Sequence, residues 1–291
     1  MDCANPASPR VSVEVETVKA FLKRVIPPSA RRFLRQRKQD FTDGLCRSSV
    51  WVATLLTRNP DEICRFALEA QEFTPQVVVL GLHQGIFPAP EKGTGKLIWH
   101  DPDPRGILPI EGFHVPRSLR RVIRQRLFEI TVNTRFDQVI EMCAERAPGR
   151  EQTWMTPSYI EMVKELHRMG LAHSVEVWQN GQMVGGDVGY CLGGCFMGIS
   201  AFHRVPDASS VALAYVTEML EAGGFVLHDA SWLTDYLTQF GAQEIPRAEF
   251  KRRLAHALIK PAQLEPLSMD EFVQRVQQRR EREVQATQVP A

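Results

Sequence analysis

The sequence has no uninterrupted apolar run long enough to cross a membrane, and its opening stretch, MDCANPASPR, contains no apolar signal core. A membrane-spanning helix needs about 20 consecutive apolar residues, and the apolar core of a secretory signal needs about 7–15. Both absences argue against an integral membrane protein and against a secreted one. The sequence therefore predicts a cytoplasmic protein with no membrane partner.

Cysteine and histidine are too scattered to predict a metal site. Of the six cysteines only Cys191 and Cys195 lie close together, and no second pair follows at zinc-site spacing. His167 and His173 have no partner ligand at such spacing either. The glycine-rich stretch GQMVGGDVG does not match a Walker or Rossmann loop, and no GxSxG nucleophile motif occurs. We expect reduced thiols, no metal and no cofactor.

An excess of charge of one sign is also lacking, because 35 Lys and Arg residues face 34 Asp and Glu residues. With a net charge of +1, any affinity for nucleic acid must come from a local basic patch. Residues 1–48 are one such candidate. We interpret this basic segment as a solvated helical arm, and contact with a polyanion is the alternative.

A second basic candidate lies in PRSLRRVIRQRLF, which predicts a helix. Four arginines spaced i, i+3, i+4 and i+7 share one face of that helix: Arg117, Arg120, Arg121 and Arg124. The other side is predicted to face a core through apolar residues: Leu119, Val122, Ile123 and Leu127. The arginine face is either an anion-binding surface or an ordinary solvated one.

The order of the predicted elements indicates an α+β fold. Thr74-Pro75 and Thr156-Pro157 predict helix starts, because threonine caps a helix and proline suits its first turn. Asn180-Gly181 predicts a hairpin within a meander of three antiparallel strands. Helices followed by this meander, and then by helix, strand and helix, are typical of an α+β domain.

Two carboxylates interrupt apolar strands and are candidates for chemistry. Glu176 lies within SVEVW, and Asp229 ends FVLHD. From the pattern alone, Asp229 is interpreted as the cap of a helix beginning near Ser231, and Glu176 as a solvent-facing residue on a strand edge. The alternative, that they are reactive groups, stays open on the pattern.

The stretch WHDPDPRGILP predicts a stiff, charged corner, because proline fixes φ and removes a backbone donor. It resembles the W-x-S-P-D-P-R corner of the leucyl/phenylalanyl-tRNA–protein transferase family. Six further stretches resemble motifs of that family in the same order: TPQVVVLGLHQGIFP, HVPRSLRR, FDQVIEMCA, LHRMGLAHSVEVW, MVGG and GAQEIPR. The resemblance runs from roughly Thr74 to Arg247.

This resemblance implies that the protein moves an amino acid, similar to leucine, phenylalanine or methionine, from aminoacyl-tRNA to an acceptor protein. The acceptor would carry Lys or Arg at its N-terminus, and the transfer to its N-terminal amine would mark it for degradation. A GNAT-like acyltransferase domain, a small N-terminal α/β domain and a monomeric state are also implied. The expected organisation is a basic extension (1–48), a small domain (49–108), a GNAT-like domain (109–262) and a charged tail (263–291).

The resemblance also implies roles for particular residues. Asp229, Glu176 and Ser231 are expected at the reacting amine and ester, with Asp229 accepting hydrogen bonds from the amine. The amino-acid pocket is expected to be lined by Trp178, Phe196, Phe202 and His228, with a plain core as the alternative. Contacts to tRNA are expected from Trp99, Arg105, Arg117, Arg120, Arg121 and Arg124.

Several residues depart from the family pattern. Ser231 stands where the family has glutamine, and Ile199 stands where it has glutamate. Other departures are Ala89, His100, Asp101 and His228. Two alternatives therefore stay open: a non-catalytic relative that binds tRNA or a degron, and a transferase with another donor or acceptor. An acyltransferase using a different activated donor is disfavoured, because no pyrophosphate-binding glycine run of the acetyl-CoA type occurs.

Overall fold

The computed structural model describes residues 73–91, 94, 96–145 and 153–288. They belong to one compact unit, Phe73–Ala291. The predicted basic arm (1–48) and the first part of the predicted small domain (49–72) lie outside the described residues. Among the residues that are described, no helix is both long enough and apolar enough to cross a lipid bilayer.

The described residues form eight helices and nine strands. The helices are α1 (Pro75–His83), α2 (Arg117–Arg124), α3 (Phe136–Ala144), α4 (Pro157–Arg168), α5 (Ala208–Ala222), α6 (Asp235–Thr238), α7 (Arg247–Leu258) and α8 (Met269–Gln288). The strands are β1 (Phe87–Pro90), β2 (Leu97–His100), β3 (Arg105–Leu108), β4 (Glu129–Val132), β5 (Ala172–Gln179), β6 (Gln182–Leu192), β7 (Cys195–His203), β8 (Leu227–Ser231) and β9 (Gln243–Ile245).

Seven of the strands form one mixed sheet in the order β4-β5-β6-β7-β8-β3-β9. β7 and β8 are parallel, and the other neighbouring pairs are antiparallel. β1 and β2 pair separately. The predicted α+β class is confirmed. The insertion of β3 beside β8 brings Arg105 next to the strand that carries Asp229.

The local start and turn signals of the sequence are confirmed. Thr74 and Thr156 each accept a hydrogen bond from the backbone N–H three residues on, at 3.4 and 3.2 Å. Asn180 and Gly181 turn the chain between β5 and β6 with φ of 52° and 71°. These features depend on neighbouring residues only, which is why the sequence predicts them.

Helix α2 follows its predicted pattern only as far as its last turn. Leu119 and Ile123 are buried, as expected for the apolar side of the helix. Leu127 was also predicted to face the core, but it is 49% exposed. The helix ends at Arg124, and Arg126 has a left-handed φ of 52°. Leu127 therefore no longer follows the helical phase.

The C-terminal segment, predicted as a charged tail (263–291), contributes to the core. Its helix α8 buries Phe272 and Val276 in the same apolar cluster as the residues of α5. Tyr215 of α5 holds the segment just before α8 in place, since its hydroxyl donates to the carbonyl of Leu267 at 2.7 Å.

Buried charge also joins α8 to α5. The guanidinium of Arg279, 2% exposed, donates to Glu218 at 2.5 Å and to Glu221 at 2.7 Å. It also donates to the carbonyl oxygens of Ile110 and Glu111, at 2.9 and 2.7 Å. The charged face of α8 is thus partly an internal ion-pair network rather than a solvated surface.

Two ionisable side chains lie in the core on the α5 side of the sheet. Asp187 of β6 shares a tight recess with Phe196 and Val216. His228 of β8 packs its ring against that of Phe196, with centroids 5.2 Å apart. Burial raises the pKa of Asp187 to about 7 and lowers the pKa of His228 to about 3. Both shifts favour the uncharged side chain in the folded protein.

We expect Asp187→Asn to change how the free energy of unfolding depends on pH. The folded protein keeps the Asp187 proton up to about pH 7, whereas the unfolded carboxyl loses it near 3.8. This group therefore favours folding most at low pH, and its contribution falls as pH rises between those values. Urea titrations should show the variant gaining stability over wild type from about pH 4 to 7, by at most about 1.4 kcal/mol per pH unit.

The comparison must be made with the wild type at each pH, because His228 has the opposite effect. Its pKa is lowered from 6.5 to about 3, so its contribution to stability grows as pH rises between these values. The control is Asp137→Asn, which removes a carboxyl group from an exposed position on α3. A difference between Asp187→Asn and wild type that is constant with pH would contradict the prediction.

Candidate functional site

A cavity of about 110 Å³ lies at the end of β8, where residues 229–232 form one wall. The other walls are mostly apolar and aromatic: Leu82, Phe87, Pro88, Ala89, Trp154, Tyr159, Tyr190, Met197, Gly198 and Ile199. Apolar walls with few polar groups are typical of sites that bind small ligands or parts of larger ones. No three histidine, cysteine or carboxylate side chains are close enough to hold a metal ion in the described part of the chain.

Asp229 is the charged group on the wall of this cavity. Its Oδ1 accepts hydrogen bonds from Arg105 Nε and from the backbone N–H of Ser231, both at 2.8 Å. Its Oδ2 accepts from Arg105 Nη2 at 2.5 Å. A carboxylate has about four acceptor positions. The carboxylate is therefore fixed in orientation, and one of its acceptor positions has no partner among the described residues.

Arg105 has a different role from the one expected. Its side chain is 1% exposed, and Nη1 donates to the carbonyl of Gly85 at 3.1 Å. The guanidinium carbon lies 4.5 Å from the ring centroid of Phe87 and 4.3 Å from that of Phe250. A buried guanidinium engaged on every side cannot neutralise a tRNA phosphate, so the predicted tRNA contact of Arg105 is wrong. It is instead the counter-charge of Asp229.

The charged corner of WHDPDPRGILP positions Arg105. Lys251 Nζ donates to Asp101 at 2.7 Å, and the backbone N–H of Arg247 donates to Asp103 at 3.1 Å. The corner is thus attached to helix α7, and the Asp103-Pro104 peptide bond is cis. The chain leaves the corner directly into β3, where Arg105 points at β8.

The backbone of Ser231 adopts an unusual conformation at the end of β8. It has a left-handed φ of 64°, and strained residues of this kind occur most often at functional sites. β8 extends through Ser231, so the interpretation of Asp229 as a helix cap is wrong. The chain can turn here because Gly106 lies opposite. A Cβ at Gly106 would come within 2.7 Å of Leu233 N and of the carbonyl carbon of Trp232.

Two tyrosines supply a second polar point in the cavity. The hydroxyl oxygens of Tyr159 and Tyr190 are 3.0 Å apart, and both residues line the cavity. One hydroxyl donates to the other, which leaves one O–H as a donor for a ligand. Tyr190 aligns with Asp229 across β7, so the two residues lie about 10 Å apart, or two strand spacings.

Glu176 is not at this cavity. It lies on β5, three strands from β8, which corresponds to at least about 14 Å. Its carboxylate is fully buried and accepts hydrogen bonds from the hydroxyls of Thr131, Ser174 and Thr134, at 2.5, 2.6 and 2.9 Å. Both sequence interpretations of Glu176, as a solvent-facing residue and as a partner of Asp229 in the reaction, are therefore wrong. The carboxylate joins β5 to the loop after β4.

The expected amino-acid pocket is also corrected. None of Trp178, Phe196, Phe202 and His228 is among the described residues that line the cavity. Trp178 donates from Nε1 to Thr131 at 2.9 Å, and the other three are buried. Phe196 and His228 precede residues that line the cavity. Because side chains alternate along a strand, both point to the opposite face, towards α5.

The residues that line the cavity come from distant parts of the sequence. Trp154, Tyr159, Tyr190 and Trp232 belong to no motif that sequence reasoning had assigned to the site. The signal in the sequence that could have located the cavity was the set of residues that depart from the family pattern. Ala89, Ile199 and Ser231 all line this cavity. Another departure, His100, lies just behind it, with ring centroids 5.9 Å from Phe87 and 5.2 Å from Trp232.

The residues expected to contact tRNA fall into different environments. Trp99 is partly buried, with its ring 5.1 Å from that of Phe73 and packed over Gly81. The α2 arginines lie at the surface, where Arg117, Arg121 and Arg124 are exposed. Together with Arg280 of α8, all four arginines of the predicted face line one groove: Arg117, Arg120, Arg121 and Arg124.

Comparison with known proteins adds an independent observation. The sequence profile of the family described as leucyl/phenylalanyl-tRNA protein transferase matches residues 107–255. A leucyl/phenylalanyl-tRNA–protein transferase of Herpetosiphon aurantiacus is 48% identical over 189 residues, which is 65% of this chain and 96% of that protein. Proteins of the same name from Salinibacter ruber and Paramagnetospirillum magneticum are 44% and 46% identical, with 81% and 91% of their lengths covered. They align with 64% and 65% of this chain.

Proposed function

This chain belongs to the leucyl/phenylalanyl-tRNA protein transferase family, and we propose that it transfers an amino acid from aminoacyl-tRNA to the N-terminal amine of an acceptor protein. The observation that carries the proposal is the apolar, aromatic cavity with Asp229 on its wall. The aminoacyl ester is already activated, so the reaction needs no covalent nucleophile. It needs a neutral amine held against the ester carbonyl, and positioning alone can supply much of the rate.

Asp229 is the group proposed to hold that amine. Its free acceptor position takes a hydrogen bond from the attacking nitrogen and offsets the positive charge that develops there. The nitrogen bonds to the ester carbonyl carbon, and the bond from that carbon to the ribose oxygen breaks. The proton lost by the amine passes to the ribose oxygen, so that free tRNA and a new peptide bond result. Ser231, where the family has glutamine, can relay this proton through its hydroxyl.

The remaining parts of the proposal concern substrates and setting. Apolar walls suit a donor similar to leucine, phenylalanine or methionine, and the acceptor class is a protein with N-terminal Lys or Arg, tagged for degradation. A mixed sheet with one parallel pair, β7 and β8, supports a GNAT-like fold. We also propose that the protein is a monomer and that it acts in the cytoplasm, where charged tRNA is found.

The test is a transfer assay. A peptide with N-terminal Lys or Arg is incubated with the protein and a mixed pool of charged tRNA, and its mass is measured. We expect the mass to increase by one amino-acid residue, and the increment identifies the donor. A matched peptide with N-terminal Asp should stay unmodified. Tight tRNA binding without any mass increase would overturn the transferase proposal and favour the non-catalytic alternative.

The arginines of α2 are proposed to contact tRNA phosphates, which makes a further prediction. The triple variant Arg117→Ala, Arg120→Ala and Arg121→Ala should bind tRNA more weakly. The dependence of its affinity on salt should also be weaker, because fewer counterions are released on binding when fewer phosphates are contacted. Filter binding at several salt concentrations measures both effects. If the slope is unchanged, this face is ordinary surface.

A further inference from the structure

A groove lies between α2 and α8 on the surface of the described residues. Its volume is about 750 Å³, and its lining consists of five arginines and one serine: Arg117, Ser118, Arg120, Arg121, Arg124 and Arg280. Four of the arginines come from α2 and one from α8. Across seven residues of helix the α2 arginines extend about 10 Å. That length can engage more than one phosphate.

A smaller recess shares three of these arginines with the groove. The volume of this recess is about 150 Å³, and it is lined by Ile123, Val273 and Val276 together with Gln277, Arg120, Arg124 and Arg280. Ile123 and Val276 are buried core residues. Buried apolar side chains of the core therefore lie beside these three arginines.

Most of these arginines lack an internal counter-charge. Arg117, Arg121, Arg124 and Arg280 form no ion pair with any residue that the structure describes. Arg120 is the exception, since its Nη1 lies 3.1 Å from Glu283 of α8. Like charges gathered on one surface repel each other, and a bound polyanion removes that cost.

Helix α8 lies beyond the family match, which ends at residue 255. Its contribution to the groove is therefore not implied by that match. The helix supplies both a cation, Arg280, and a carboxylate that already occupies one of the arginines, Glu283.

We propose that α8 is a second RNA-binding element of this protein. Arg280 extends the α2 arginine face and binds a phosphate of the tRNA backbone. Glu283 occupies Arg120 when no RNA is bound, and a phosphate displaces it. This inference rests on the proposed function, because it takes the bound RNA to be the tRNA substrate.

The experiment measures binding of uncharged tRNA to the full-length protein by fluorescence anisotropy at several salt concentrations. Arg280→Ala should weaken binding severalfold and reduce the salt slope by about one. The control is Arg252→Ala, because Arg252 is 77% exposed on α7 and pairs with Glu249. An Arg280→Ala variant that matches Arg252→Ala in affinity and slope would overturn the inference.

Glu283→Gln tests the competing carboxylate. It frees Arg120 and should tighten tRNA binding by about twofold to fivefold, which is the range expected for an exposed ion pair. Glu281→Gln is its control, since it removes the same charge from an exposed position on the same helix. Equal gains for the two variants would mean that only net charge matters, and the role of Glu283 would be wrong.

The binding experiments test the role of α8 independently of whether the protein transfers an amino acid. The binding assay uses uncharged tRNA, so it gives an answer even if the wild type transfers no amino acid. Conversely, transfer by the wild type together with normal binding by Arg280→Ala would overturn only the inference about α8. Vesicles containing phosphatidylglycerol form the last arm. If they bind the groove in preference to tRNA, the RNA assignment is wrong.

Discussion

Asp229→Asn is expected to lower the rate of aminoacyl transfer by at least about a hundredfold. Asparagine is close to aspartate in size but carries no charge, so it cannot offset the charge that develops on the attacking amine. The affinity for tRNA should change little, because Asp229 is buried and its charged partner is Arg105 rather than an arginine of α2. Single-turnover transfer with saturating charged tRNA measures the first effect, and anisotropy measures the second.

The buried pair with Arg105 makes a folding control necessary. Asp229→Glu keeps the charge but moves the carboxylate by one methylene, and it should fold with a reduced transfer rate. Ser231→Ala should have a smaller effect than Asp229→Asn, because only the proposed proton relay is lost. The exposed Asp137→Asn should transfer at the wild-type rate. Wild-type transfer by a folded Asp229→Asn would end the catalytic assignment and leave Asp229 with a purely structural role.

Arg105→Ala is expected to reduce the free energy of unfolding by about 3–5 kcal/mol. The substitution leaves Asp229 as an unpaired charge in the core and removes the donor to the carbonyl of Gly85. It also opens a void between Phe87 and Phe250, whose rings contact the guanidinium in the wild type. Urea denaturation followed by tryptophan fluorescence measures the loss.

Two comparisons give this prediction its controls. Arg168→Ala removes an exposed arginine that pairs with Glu165, and it should cost at most about 1 kcal/mol. The double variant Arg105→Met with Asp229→Leu removes both buried charges, and it should recover much of the stability lost in Arg105→Ala. A cost for Arg105→Ala no larger than that for Arg168→Ala would mean that the buried pair does not stabilise the fold.

Much of the fold was predictable because its signals are local. Thr74 and Thr156 start helices through hydrogen bonds three residues away, and Asn180-Gly181 turns the hairpin by its own backbone preference. The alternation of helices and strands was enough for the α+β class. The spacing of the α2 arginines placed them on one face without knowledge of the rest of the chain.

The candidate site was only partly predictable, because its lining depends on which face of the sheet each side chain occupies. Asp229 and Ser231 do line the cavity, whereas Phe196 and His228, close in the sequence, point the other way. A shift of one residue along a strand reverses the direction of a side chain. Resemblance to a motif indicates which strand or loop carries a residue, but it does not indicate to which face of the sheet the side chain points.

The sequence by itself determined the helix starts, the hairpin, the arginine face and the family. Only the tertiary structure decided that Arg105 is the buried partner of Asp229, that Glu176 lies three strands away, and that α8 completes the arginine groove. Each of these relations joins residues separated by tens of positions or more in the chain. Their physical basis is the pairing of strands and the burial of charge against charge, and both are decided when the whole sheet assembles.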